Sequence, residues 1–158
     1  MDFNQTSTLV ETSLAALKVD PVACRGQKPG QWAITYKGVT VWIDVFNFAD
    51  NPTRWYFQVM SPLVIVPDKN QEAFYQNLLE INGLLYGSWI CKKGDWTYVM
   101  FLREAADLDQ NEVNATLDRV AIYCADYQGK IKFKFEGSWL PKTSPTNTGG
   151  GVDGPGQK

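Results

Sequence analysis

Asp107, Asp109 and Asn111 stand at alternate positions, the spacing with which a calcium loop begins, because oxygen ligands on every second residue can converge on one hard cation. The pattern then breaks. Glu112 occupies the place where the loop's sharp turn needs glycine, and Asp118 the place where a longer Glu reaches the ion with both oxygens. Asp109 with Glu112 three residues on instead fits the start of a helix, whose free N–H groups and dipole favour carboxylates. No metal or other cofactor is expected.

Acid-base chemistry has little to work with. The chain of 158 residues has no histidine, so the usual general base and the commonest metal ligand are both missing. Gly87-Ser88 has no G-x-S-x-G frame around it, and no phosphate-binding glycine loop occurs. Cys24, Cys91 and Cys124 are an odd number without a C-x-x-C pair and read as free thiols, the last two buried. Arg25 beside Cys24 is the one neighbour that could lower a thiol pKa. No enzyme is expected.

Lys130, Lys132 and Lys134 alternate with Ile131, Phe133 and Phe135, a basic-aromatic run of the kind that single-stranded nucleic acid can stack on. Alternation sends the rings to one side and the charges to the other, so a sixth strand with a lysine-guarded edge is the expectation. The formal net charge of −2 removes long-range attraction to phosphate or anionic lipid, so neither nucleic acid nor membrane is an expected partner. Around the third helix Glu104, Asp107, Asp109, Glu112, Asp118 and Asp126 face Arg119 alone, an acidic flank that is solvated or meets a basic segment. The N-terminal residues carry no basic and apolar signal pattern and no run of 18 apolar residues occurs, so a cytoplasmic location is expected.

The elements that hold these residues follow from periodicity. Thr8 with Glu11 has capping-box spacing, and Val10, Leu14 and Leu17 continue one helical face. Trp32 to Tyr36 and Val39 to Phe46 alternate with period two about the Lys37-Gly38 turn. Arg54 to Val66 forms a third strand, in which Ser61-Pro62 calls for a bulge, a bend or a free edge. Asp68 caps a second helix that Gly83 ends. Leu84 to Glu104 is a hairpin about Lys93-Gly94-Asp95, and a third helix runs from Gln110 until Gly129 stops it. The fold class expected is α+β, a single domain ordered α-β-β-β-α-β-β-α, with a curved antiparallel sheet packed on one face by helices. It occupies residues 1–137, and 138–158 form a flexible Gly/Pro-rich tail, mobile from Ser144 onward.

If the valine-rich side of this sheet (Val41, Ile43, Val45, Phe57, Val59) lies under the helices, alternation sends Trp42, Asp44, Phe46, Arg54, Tyr56, Gln58 and Met60 to the other side. The same parity assigns Phe101 and Arg103 there. A sheet covered on one side is normally polar on the other, whereas this one carries rings and a methionine among scattered charges. That composition suits a protein or peptide client, held by apolar anchors or by strand addition. A second subunit, or the chain's own tail, could equally cover it.

The run FYQNLLEINGLLYGSWICKKGDWTYVMFLREAADLDQNEVNATLDRVAIYCADY, most specifically Leu78-Leu79-Glu80-Ile81-Asn82 leading into a small-residue strand, a lysine-glycine turn and a strand ending in Arg-Glu, resembles the type III secretion chaperone-like superfamily, including its YbjN-like branch. The resemblance spans Thr6 to Tyr127. It implies a small bacterial protein, often a homodimer, that holds non-globular client segments against its sheet and helices or serves as a non-enzymatic regulatory module. The YbjN-like reading, a protein-binding domain, comes first; a dedicated chaperone for an exported or secretion-system protein is the alternative.

Overall fold

The computed structural model describes residues 1–137, Ser144, Pro145 and Asn147. Helix α1 (Phe3–Ala16) precedes three strands, β1 (Gln31–Tyr36), β2 (Val39–Phe48) and β3 (Asn51–Ile65); α2 (Gln71–Asn82), β4 (Trp89–Lys93), β5 (Trp96–Glu104) and α3 (Gln110–Lys134) follow. The five strands form one antiparallel sheet in the order β1-β2-β3-β5-β4. Element order and fold class are those expected from the sequence.

All three helices pack on one side. Val10 and Leu14 of α1, Phe74, Leu78 and Ile81 of α2, and Val113, Leu117, Val120 and Cys124 of α3 share a core with Val41, Ile43, Val45, Phe57, Val59 and Val99 of the sheet. Burying that many aliphatic side chains, each contributing roughly 1.5–3 kcal/mol, is what holds the helices down. A second, smaller cluster of Trp42, Met60, Tyr98 and Met100 lies on the opposite side and contains no helical residue.

The turns are the expected ones. Lys37 (φ 50°) and Gly38 (φ 80°) close β1 onto β2 with both central residues left-handed, matching the twist of the strands they join. Pro62 sits in the central strand, and the β3–β5 register slips between Pro62 and Ile65. Thr97 repairs the gap: its hydroxyl donates to the Val64 carbonyl (2.8 Å) and accepts from the Val64 N–H (3.3 Å). Of the bulge, bend or free edge expected at Ser61-Pro62, the free edge is excluded because β3 is the central strand, and the ladder is irregular just after Pro62.

Several boundaries differ from expectation. Helix α1 starts earlier, at a capping box in which Gln5 N–H donates to Asp2 (2.9 Å) and Asp2 N–H to the Gln5 side chain (3.0 Å), while Thr8 lies inside the helix and bonds back to the Asn4 carbonyl. The N-cap of α2 is Asn70 in a left-handed conformation, not Asp68. Leu84 to Ser88 are not strand; β4 begins at Trp89, and Asn82 at the end of α2 clasps the Ile90 backbone through both its N–H (2.6 Å) and its carbonyl (3.2 Å).

The sixth strand does not form. Helix α3 runs through Gly129 to Lys134, because Ile131 and Phe135 are one helical turn apart and both buried, Phe135 against Phe74 with ring centroids 5.3 Å apart. A strand would put Ile131 and Phe133 on one face, but Ile131 is 1% exposed and Phe133 95%. The expected mobile stretch from Ser144 to Lys158 lies outside the described residues except at Ser144, Pro145 and Asn147.

Candidate partner-binding surface

Cross-strand register settles which side chains share the helix-free face, since directly opposed residues point the same way. Trp42 opposes Met60, Met60 opposes Met100, and Met100 opposes Trp89. One step along, Gln31, Asp44, Gln58 and Leu102 form a second row, and Phe46, Tyr56 and Glu104 a third. Six of the eight expected partner-binding residues are brought together here: Trp42, Asp44, Phe46, Arg54, Tyr56 and Met60.

Phe101 and Arg103 are not. Phe101 opposes Val59 and packs on the helical core, its ring 6.1 Å from that of Phe57. Arg103 opposes Phe57 and holds the start of α3, donating to both oxygens of Glu112 (2.5 Å) and to the Ala106 carbonyl. Strand β5 is apolar from Tyr98 to Leu102, so alternation carried no signal there and the parity was off by one. The residues missed in consequence are Tyr98, Met100 and Leu102, with Trp89 and Cys91 opposite them. The hairpin turn was the available clue: Gly94-Asp95 pairs Lys93 with Trp96, and counting outward places Met100 against Trp89.

The surface has two parts of different character. At one end Phe46, Phe48 and Tyr56 form a mutual aromatic cluster with centroids 4.7 to 5.8 Å apart. These rings are partly buried, and Arg54 pairs with Glu104 at their rim (2.7 Å). Toward the middle Trp42, Met60 and Met100 are buried, and so are Asp44 and Gln58 in the row beside them. Asp44 is 1% exposed and Gln58 2%.

Asp44 accepts from the Gln31 side-chain amide (3.0 Å), the Gln58 amide (3.2 Å) and the Asn147 amide (3.4 Å). Among the described residues no Lys or Arg forms an ion pair with it. Burial pushes its carboxyl above the usual carboxylate pKa, and the three amides together with the charge of Lys93 only partly oppose that. The result is a buried acceptor, served by neutral donors, at the centre of an apolar sheet face.

The acidic flank foreseen around α3 is largely consumed internally. Glu112 pairs with Arg103, Glu104 with Arg54, and Asp118 accepts from the Tyr36 hydroxyl (2.7 Å) with Lys37 nearby (3.4 Å). Asp109 caps α3 by accepting from the Glu112 N–H (2.8 Å), as its spacing suggested. The three thiols are free. All have raised pKa values, Cys124 pushed up to about 11 by burial, and Arg25 fails to lower Cys24 because burial, Asp20 and Glu11 outweigh it.

The same layered arrangement occurs in solved complexes. A chain in the HopA1–SchA chaperone–effector complex superposes with a TM-score of 0.59 at 10% identity, over 82% of this chain and 98% of that one. What the two share is a fold. A chain in the ExsC–ExsE complex gives 0.60 at 12% identity, over 83% of this chain and 97% of that one. The complex of the Yersinia pestis type III secretion chaperone SycH with a stable fragment of YscM2 gives 0.54 at 16%, over 80% and 98% respectively. No protein-family model and no curated protein matches the sequence. No helix among the described residues is long and apolar enough to cross a membrane.

Proposed function

We propose that this protein binds a polypeptide client on the helix-free face of its sheet, as a non-enzymatic chaperone or chaperone-like module. The observation that carries the reading is the partly exposed Phe46–Phe48–Tyr56 cluster on a face that no described helix covers, beside the buried carboxylate of Asp44. Aromatic anchors next to a few directional polar groups are what concentrate binding energy in protein interfaces. Solved chains of like fold occur in complexes of a chaperone with an effector or with a protein fragment, which supports the same use of this architecture.

A second concavity fits the same role. The cleft between α1 and the loop before β1, about 510 Å³, is lined by Phe3, Ser7, Glu11, Arg25, Gly30 and Trp32. Beneath it Trp32 Nε1 and Ser7 Oγ are buried with no hydrogen-bond partner among the described residues.

The test is capture from the native cell with the tagged chain and with its Phe46→Ser/Tyr56→Ser double variant. Trp42 is a poorer choice for substitution, because it is part of the second cluster and its loss would unsettle the fold. A genuine client should fall by about tenfold or more in the variant at unchanged melting temperature, the loss expected for removing two anchors. Equal recovery by both chains would overturn the reading. One exported protein recovered in stoichiometric amount would favour a dedicated secretion chaperone. A free-standing homodimer without a client would favour the YbjN-like regulatory alternative.

A further inference from the structure

The sheet ends laterally in β1 and β4, and the outward backbone groups of an edge strand are a template on which another extended segment can pair. Strand β4 is guarded by a side chain. Asn82, at the end of α2, accepts from the Ile90 N–H (2.6 Å) and donates to the Ile90 carbonyl (3.2 Å), so its amide takes the two bonds that a residue of an added strand would make. Backbone groups alternate in direction along an antiparallel strand, so Ile90 and Lys92 are the β4 residues that turn theirs away from β5. Only Lys92 is left, and a lysine on an edge strand itself discourages pairing.

Strand β1 is guarded by backbone. The segment before it folds back along its outer side: Gly26 N–H donates to the Gln31 carbonyl (2.7 Å), Ala33 N–H donates to the Cys24 carbonyl (2.8 Å), and Arg25 bridges to Trp32. Gly26 permits this approach, since a Cβ on it would stand 2.8 Å from the Gln31 Cβ. Alternation then leaves Thr35 as the β1 residue whose N–H and C=O both stay outward. Each edge therefore offers the backbone of one whole residue, whereas a strand added to a sheet is held by main-chain bonds along its length.

We propose that both lateral edges are closed to strand addition, with Asn82 the guard of β4, and that a client is held across the helix-free face by its side chains. The inference rests on the client-binding reading and decides between the two modes open to it, apolar anchors and an added strand. The partner that fits is a segment with aromatic or aliphatic side chains to place against Phe46, Phe48 and Tyr56, and with no need of a free backbone on the sheet.

Hydrogen exchange tests the guard on the protein alone. Corrected for intrinsic rates, the Ile90 amide should exchange about tenfold or more slowly than that of Lys92, and in Asn82→Ala the difference should vanish. Equal exchange of the two amides in the parent, a comparison that needs no variant, would overturn the guard. So would an Ile90 amide that stays slow in Asn82→Ala.

The binding mode is tested by capture from a lysate of the native cell with the tagged parent, Lys92→Pro, Thr35→Pro and Phe46→Ser/Tyr56→Ser chains. Proline at either edge site removes an outward N–H and leaves the ladder to β5 or β2 intact, so recovery should stay within about twofold of the parent. A client lost from the Phe46→Ser/Tyr56→Ser chain alone supports both readings. Loss from a proline chain at unchanged melting temperature would remove this inference and leave the client reading standing. Equal recovery by all four chains would remove the client reading, while exchange at Ile90 still decides the guard. Where a proline chain melts early, the parent bound to the recovered client replaces it: its Lys92 and Thr35 amides should stay fast, and slowing of either would overturn the inference.

Discussion

At neutral pH Asp44 keeps a carboxyl group in a site 1% exposed, with amides around it and no described cation paired to it, which is a net cost to the fold. Because burial raises its pKa in the folded state, the stability it contributes is fully present below its ordinary value of 3.8 and is lost as pH rises through the raised value. Asp44→Asn should therefore raise the urea midpoint at neutral pH. The gain should vanish below 3.8, which urea titrations of both chains at the two conditions will read. Gly30 shows the opposite case of a residue fixed by architecture. Its φ is +80°, and a Cβ there would stand 2.3 Å from the Val45 carbonyl oxygen, whereas Gly38 at the same φ meets nothing within 4 Å. Gly30→Ala should cost about 3 kcal/mol or more in urea unfolding, and Gly38→Ala only about 1 kcal/mol, the strain of the left-handed conformation alone.

At the scale of elements, α3 is the piece whose length decided most. Gly129 looked like a stop, but a single glycine inside a helix costs only about 1 kcal/mol, and burial of Ile131 and Phe135 beyond it outweighs that. A Cβ on Gly129 would meet nothing within 4 Å. Gly129→Ala should accordingly stabilise the protein by about 1 kcal/mol, seen as a melting temperature several degrees higher. A chain that extended as a strand from Ile131 would show no such gain. The helix starts were legible only where a side chain sits at the right offset from the first turn: Asp109 with Glu112 was, whereas Asp2 with Gln5 competed with the equally good spacing of Thr8 and Glu11. Tertiary contact settled that competition, since α1 lies against α3 through Gln110, whose amide donates to the Leu9 carbonyl (3.1 Å) and to Ser13.

For the whole molecule, the exposed apolar side chains concentrate in and after α2. Leu79, Leu84 and Tyr86 are largely exposed, an apolar stretch away from the Phe46–Tyr56 cluster. A second copy of the chain covering this region would leave the helix-free sheet face uncovered. Leu79→Glu/Leu84→Glu should then sediment as a monomer where the parent sediments as a dimer, with the melting temperature otherwise little changed. A parent that is monomeric at high concentration would count against dimer formation through this region.

By itself the sequence determined the order of the elements, the hairpin turns, an interruption of the ladder at Pro62 and the existence of one apolar sheet face without helices. Each is written in local signals: a left-handed dipeptide, a missing N–H, a period of two against a period near four. Tertiary structure decided the rest. Whether Phe101 or Met100 lies on the helix-free face depended on a register that an all-apolar strand cannot encode in its own alternation. Whether residues after Gly129 are strand or helix depended on what waited to bury Ile131 and Phe135. The contact of Asn147 with Asp44 joins two positions whose local sequences say nothing of each other, and only the folded chain brings them together.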